Sequence, residues 1–157
     1  MTARFGIGFD AHRLVAGRRL VLGGVEIAHE RGLEGHSDAD VLVHAVIDAL
    51  LGAAGLGDIG LHFPDDDERW RDADSLDLLR RVSGLLDDGG LTVVHVDATV
   101  MLERPKLAPH RDAIRESLAA PLGSVNVKFT TGEGMGFVGR QEGIAALAVA
   151  TVEGAVV

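Results

Sequence analysis

The chain has no cysteine and no tyrosine, and only one tryptophan and four prolines, in 157 residues. Without cysteine there is no disulfide framework and no thiolate-closed structural metal site, while every compartment stays open. Asp, His or Gly interrupts each apolar stretch before it reaches the length of a membrane span. The start, Met1-Thr2-Ala3-Arg4-Phe5, carries neither an apolar signal core nor an Arg/Ser-rich transit segment, so the cytoplasm is the expected compartment. Cations are also scarce: 15 Lys and Arg face 24 Asp and Glu, for a formal net charge of −9. That balance argues against a nucleic-acid backbone as partner, because such a partner needs a positive face. A small phosphorylated molecule remains compatible, since local cations, helix N-termini or metal ions override a negative average. Against these absences stands an apolar surplus, 46% hydrophobic residues with a mean hydropathy of +0.20. The length suits one domain, residues 1–157, with a real core, and the surplus points to burial in subunit contacts.

Periodicity and punctuation divide the chain without repeats, linkers or low-complexity segments. Residues 4–14 read as a first strand. Arg19–Leu22 and Val25–Ile27, separated by Gly23-Gly24, read as a hairpin with a two-residue turn. Ser37 is a suitable N-cap for a helix from about Asp38 to Ala53, closed by Gly55, in which Asp40, His44 and Asp48 share one polar stripe. A long loop is expected over 57–74, then a helix capped by Ser75 and reaching about Asp87. Leu91–Glu103 alternates as a strand, a helix spans about Pro109–Ala119, and Ser124–Thr131 forms a further strand. The tail, 143–157, is ambiguous: its alanines favour helix, whereas Val149, Thr151, Val152, Val156 and Val157 favour strand. Strands and helices mixed without regular βαβ alternation indicate an α+β fold.

The chemistry concentrates in four places. Asp10 and His12 stand at i and i+2 of an extended segment and so share a face, and a helix packed over that strand would add His44. Two imidazoles and a carboxylate leave one position open on a tetrahedral zinc, the pattern of a catalytic ion. The plainer alternative is that Asp10 caps a turn and both histidines pack. Gly35-His36-Ser37-Asp38 stands at a helix start, where free N–H groups suit a phosphate, or serves simply as a cap. Thr130-Thr131-Gly132-Glu133-Gly134 lets backbone approach a ligand, with Glu133 able to hold magnesium, or is a plain Gly-rich turn. Glu103-Arg104-Pro105-Lys106 is a stiff loop with two cations, otherwise merely solvated. Together the four suggest a small phosphorylated substrate whose charge is offset by metal ions. His29, His62, His95 and His110 read as surface or packing residues, and Trp70 as a loop anchor.

At these same segments the chain resembles the 2-C-methyl-D-erythritol 2,4-cyclodiphosphate synthase family of the non-mevalonate isoprenoid pathway. The resemblance rests on Gly8-Phe9-Asp10-Ala11-His12-Arg13-Leu14, His36-Ser37-Asp38-Ala39-Asp40-Val41 with His44, Gly57-Asp58-Ile59-Gly60, and Phe63-Pro64-Asp65. Ala73-Asp74-Ser75, Arg104-Pro105-Lys106 and Gly139-Arg140-Gln141-Glu142-Gly143 extend it over nearly the whole length. It implies a mixed sheet with helices on one face, three such sheets packed around the threefold axis of a homotrimer, and active sites between subunits. It therefore makes the tail a strand. The implied reaction converts 4-diphosphocytidyl-2-C-methyl-D-erythritol 2-phosphate to the 2,4-cyclodiphosphate and CMP, by attack of the 2-phosphate on the β-phosphorus.

By resemblance, Asp10, His12 and His44 are zinc ligands. His36 and Ser37 hold the methylerythritol phosphate, while Asp58, Ile59, Gly60, Phe63 and Asp65 contact the erythritol. Pro105, Lys106 and Ala108 belong to a cytidine pocket given by the adjacent subunit. Thr130 and Thr131 contact phosphates, and Glu133 carries a magnesium or manganese ion. His36, Thr131 and Glu133 are the catalytic set, and Phe137, Arg140 and Glu142 match the trimer's central channel, where the family can hold an isoprenoid diphosphate. Gly132 stands where the family often has threonine, which predicts a looser phosphate loop. Asp48, one turn beyond His44, is expected to orient that imidazole. Two other functions compete: an iron(II) oxygenase using the two-His, one-carboxylate triad, and a non-enzymatic trimeric binder of diphosphates.

Overall fold

The computed structural model describes residues 1–155, so Val156 and Val157 of the expected tail strand lie outside the described residues. In chain order the elements are β1 (Thr2–Ala16), β2 (Leu20–Leu22), β3 (Val25–Ile27), β4 (Arg31–Leu33), α1 (Val41–Ala54) and α2 (Ile59–His62). A 3-10 turn (Glu68–Trp70) leads to α3 (Ser75–Asp88) and β5 (Leu91–Met101). A second 3-10 turn (Ala108–His110) runs into α4 (Arg111–Leu122), followed by β6 (Val125–Thr130), α5 (Gly136–Gly139) and β7 (Gly143–Gly154). The β2–β3 hairpin turns on Gly23 and Gly24, both at positive φ (61° and 76°), the backbone that a two-residue turn matched to strand twist requires.

Five strands form one sheet in the order β4-β1-β7-β5-β6. All its pairings are antiparallel except β5 with β6, so the sheet is mixed, as α+β with helices on one side implied. The two ends of the chain make its longest ladder, from Thr2↔Gly154 to Arg13↔Gly143. The tail is thus a strand despite its alanines, for a packing reason. Ala146, Ala148 and Ala150 point to the helical side and are fully buried, while Leu147 and Val149 point to the other face. Small side chains there let α1 lie close to the sheet.

The even-numbered face of β1 completes this close approach. A Cβ on Gly6 would fall 2.0 Å from the Ala49 carbonyl oxygen, and one on Gly8 would fall 1.9 Å from the Ala45 carbonyl oxygen. Helix α1 is apolar almost all round, and ten of its side chains are buried. The opposite sheet face remains open, with Phe5, Ile7 and Phe9 on β1 at 70%, 68% and 57% exposure beside Leu147 and Val149.

Several boundaries differ from the sequence reading. Helix α1 begins at Val41, and its N-cap is Asp40, not Ser37. The Asp40 carboxylate accepts from the Val43 N–H (3.0 Å) and from both turn glycines, Gly23 (2.9 Å) and Gly24 (2.7 Å). Its burial pushes the carboxyl up to about 6, against the pull of those three donors. Asp40 therefore faces the hairpin, and only His44 and Asp48 of the expected stripe face the cavity. Likewise α3 is capped by Asp74, which accepts from Leu76 N–H, and Ser75 is its first residue. The expected 57–74 loop contains α2 and the first 3-10 turn.

Two substitutions test this framework. Gly8→Ala must push α1 off the sheet and should lower stability by about 3 kcal/mol, read as a reduced denaturant midpoint. Asp40→Asn replaces one acceptor oxygen by a donor against a turn N–H, and should cost about 1–3 kcal/mol in the same measurement.

Candidate metal centre and substrate cavity

The close packing of α1 on β1 places His44 directly over Asp10 and His12. The Asp10 Oδ2 lies 2.9 Å from His12 Nε2 and 3.2 Å from His44 Nδ1. These three atoms lie within 4.8 Å of one another, close enough to share a single ion. Burial alone would raise the Asp10 carboxyl, but hydrogen bonds and charge from both imidazoles outweigh it and bring the value to about 2. The Asp10 carboxylate in turn raises the His12 imidazole above its ordinary value, against the desolvation that lowers it.

Each histidine turns its other nitrogen outward from the triad. His12 Nδ1 lies 2.8 Å from the Glu34 carbonyl oxygen, which only accepts, so this nitrogen carries a proton and Nε2 is the atom that could bind an ion. His44 Nε2 lies 2.8 Å from the Ser75 Oγ, leaving Nδ1 toward Asp10. The expected partner, Asp48, does not perform this task. Its carboxylate accepts from the Ile59 N–H at 2.8 Å, joining α1 to α2, and burial lifts its carboxyl above the ordinary value.

A cavity of about 310 Å³ opens beside the triad, lined by Asp10, His12, His36, Ser37 and His44 on one side and by Ile59, Gly60, Phe63, Asp65 and Trp70 on the other. Asp58 stands just outside the lining, as the N-cap of α2 accepting from Leu61 N–H. His36 and Ser37 occupy the loop before α1 rather than the helix start itself. The free N–H groups expected there are taken by Asp40 and Asp38: Val43 N–H by Asp40 and Asp40 N–H by Asp38. The loop is held from behind by Arg18, which donates to the carbonyls of Leu33, Gly35 and Ser37. Trp70 anchors its segment, edge-on to Phe63 with ring centroids 5.0 Å apart and with the Arg69 and Arg81 guanidiniums over its ring. It also faces the cavity, which its sequence neighbourhood did not signal.

The remaining site residues gather elsewhere. Asp10, Ala146, Val100 and Phe129 occupy one row across the sheet. Three strand spacings, about 14 Å, therefore separate the triad from the far edge strand β6. Pro105, Lys106 and Ala108 follow β5, while Thr130 ends β6 and Thr131 and Glu133 follow it. The Glu103 carboxylate joins these two loops by accepting from Gly132 N–H at 2.5 Å. Gly132 is also pressed against its own loop, since a Cβ there would meet the Gly139 nitrogen at 2.7 Å and the Met135 oxygen at 2.8 Å. Gly132, where the family often has threonine, thus lets its loop close on itself. Phe137 lines a second cavity of about 270 Å³ with Arg13 and Glu142, and Arg140 lies beside it, its guanidinium 3.5 Å from the Glu142 carboxylate.

Known proteins match this chain closely. A 2-C-methyl-D-erythritol 2,4-cyclodiphosphate synthase from Salinibacter ruber is 60% identical over 156 residues, covering 97% of this chain and 99% of that protein. One from Symbiobacterium thermophilum is 63% identical over 153 residues, covering 95% and 98%. A solved structure of 2C-methyl-D-erythritol-2,4-cyclodiphosphate synthase in a CDP-bound form superposes with a TM-score of 0.88 at 40% identity, over 96% of this chain and all of that one. The bifunctional IspDF of Campylobacter jejuni gives a TM-score of 0.93 at 40% identity, over 98% of this chain and 43% of that longer protein. The family model described as "YgbB family" matches residues 3–153, and the chain belongs to that family.

Proposed function

We propose that this chain converts 4-diphosphocytidyl-2-C-methyl-D-erythritol 2-phosphate to 2-C-methyl-D-erythritol 2,4-cyclodiphosphate and CMP, as the names of its relatives state for their cyclic product. The observation that carries the reading is the Asp10–His12–His44 triad, ordered by outward hydrogen bonds and facing a cavity of the right class. An oxygen of the 2-phosphate forms a bond to the β-phosphorus while the bond from that phosphorus to the CMP oxygen breaks, and CMP leaves with the electron pair. No protein nucleophile is required. The task of the protein is to hold two anionic groups in line and offset their charge.

The donor set of two imidazoles and one carboxylate fits a zinc ion with an open position, and when bound it supplies Lewis-acid polarisation of a phosphoryl oxygen. His36 and Ser37 hold the 2-phosphate. Asp58 and Asp65, with Ile59, Gly60 and Phe63, bind the erythritol hydroxyls and carbon skeleton. Thr130 and Thr131 contact the diphosphate, and Glu133 supplies the oxygen ligand for magnesium or manganese. Pro105, Lys106 and Ala108 form the nucleotide pocket.

Two features support a homotrimer that completes the site. The strands that lead into the loops of Lys106 and Glu133, β5 and β6, stand about 10 and 14 Å across the sheet from the triad, so a neighbouring copy brings its own loops to each cavity. The open apolar face of Phe5, Ile7, Phe9, Leu147 and Val149 is the kind of surface a monomer does not leave in water, and it suits packing about a threefold axis. On this reading residues 1–157 act as one domain, the partner is a small nucleotide-diphosphate substrate rather than a nucleic acid, and the activity is cytoplasmic. Among the described residues no helix is long and apolar enough to cross a membrane. The second cavity, with Phe137 and Arg140, is where the channel ligand of the family would bind.

Two measurements test the reading. His44→Ala should lose zinc and reduce CMP release by on the order of a hundredfold or more, while light scattering still reports a trimer; turnover retained by a zinc-free variant would contradict it. Zinc competes with the proton that the Asp10 carboxylate holds on His12. Because that imidazole titrates above its ordinary value in the metal-free protein, zinc affinity should rise with pH until His12 is neutral and fall as it protonates, with calorimetry showing proton release on binding only at the lower pH values.

A further inference from the structure

The reading of the metal centre leaves Ser75 and Asp38 without a role. Ser75 is fully buried at the start of α3, and its hydroxyl makes two contacts. One is with His44 Nε2 at 2.8 Å, and the other is a very short one with Asp38 Oδ1. A serine has one hydroxyl proton, and a carboxylate only accepts. The short contact to Asp38 claims that proton, so the hydroxyl offers His44 a lone pair, and Nε2 must be the nitrogen that donates. Asp38 is itself fixed, accepting from the backbone N–H of Ser75 (2.8 Å) and of Asp40 (3.1 Å). The other group near Nε2, the Ser37 hydroxyl, is farther away at 3.4 Å and accepts from Ala39 N–H.

We propose that Ser75, held by Asp38, is the positioning residue for His44, fixing the tautomer in which Nε2 is protonated and Nδ1 faces the ion. This rests on the zinc reading above. It makes the two imidazoles opposite in use, with His12 binding through Nε2 and His44 through Nδ1. It also joins α3 and the loop of His36 and Ser37 to the metal centre, since Asp38 follows those residues directly.

The test uses the full chain and zinc alone. Zinc affinity is measured by competition with a chromophoric chelator, and ring tautomers are read by nitrogen-15 spectra of histidine-labelled protein. The unmutated zinc-loaded chain should show one ring protonated at Nδ1 and one at Nε2. Ser75→Ala should weaken zinc binding by about 10- to 100-fold and lose the protonated Nε2 signal of His44. Asp38→Asn, which keeps an acceptor oxygen for the hydroxyl but no charge, should weaken it less and remains informative if Ser75→Ala does not fold. Wild-type affinity with an unchanged His44 signal in either variant would overturn the assignment even if thermal stability fell. Failure of the unmutated chain to bind zinc would instead remove the metal reading itself.

Discussion

The structure depends on how closely one apolar helix approaches two strands. Gly6 and Gly8 on β1, with Ala146, Ala148 and Ala150 on β7, leave no side-chain bulk between the sheet and the backbone of α1. That contact forms the core, and it also sets the height at which His44 hangs over Asp10 and His12. A larger residue anywhere in this seam would lift His44 away from Asp10 and His12. Core packing and metal geometry are thus one constraint.

Around the triad, several polar groups have a defined partner. Glu34 offers a carbonyl to His12, Ser75 a hydroxyl to His44, and Asp40 a buried carboxylate to the turn and helix N–H groups. Buried polar groups of this kind are costly unless satisfied, and satisfied ones hold a single arrangement. On the proposed function, metal ions, hydroxyls and loop backbone would offset the charge of an anionic substrate where the few Lys and Arg of this acidic chain cannot.

A single copy holds Asp10 and His12 on β1, two strands from β5 and three from β6 in its sheet. In the proposed trimer, the apolar face that the helices leave open gives copies a reason to associate, and association would bring the β5 and β6 loops of one to the triad of another. Glu103 ties those two loops together within one copy.

Much of this was legible in the residues. The i and i+2 spacing of Asp10 and His12 in a strand, the His44 helix, the Gly23-Gly24 turn and the β5 alternation are local patterns, governed by backbone geometry over a few residues. The resemblance carried the tail as a strand, where alanine content argued the other way until its partner helix was known. What only the tertiary structure decided were choices between nearby donors and acceptors. Asp40 rather than Ser37 caps α1 because the turn glycines, far off in sequence, come to meet it. Ser75 rather than Asp48 touches His44 because α3 folds back over α1, while Ile59 N–H engages Asp48. Sequence spacing predicts which side chains share a face; which partner each one takes depends on elements that the chain brings together only on folding.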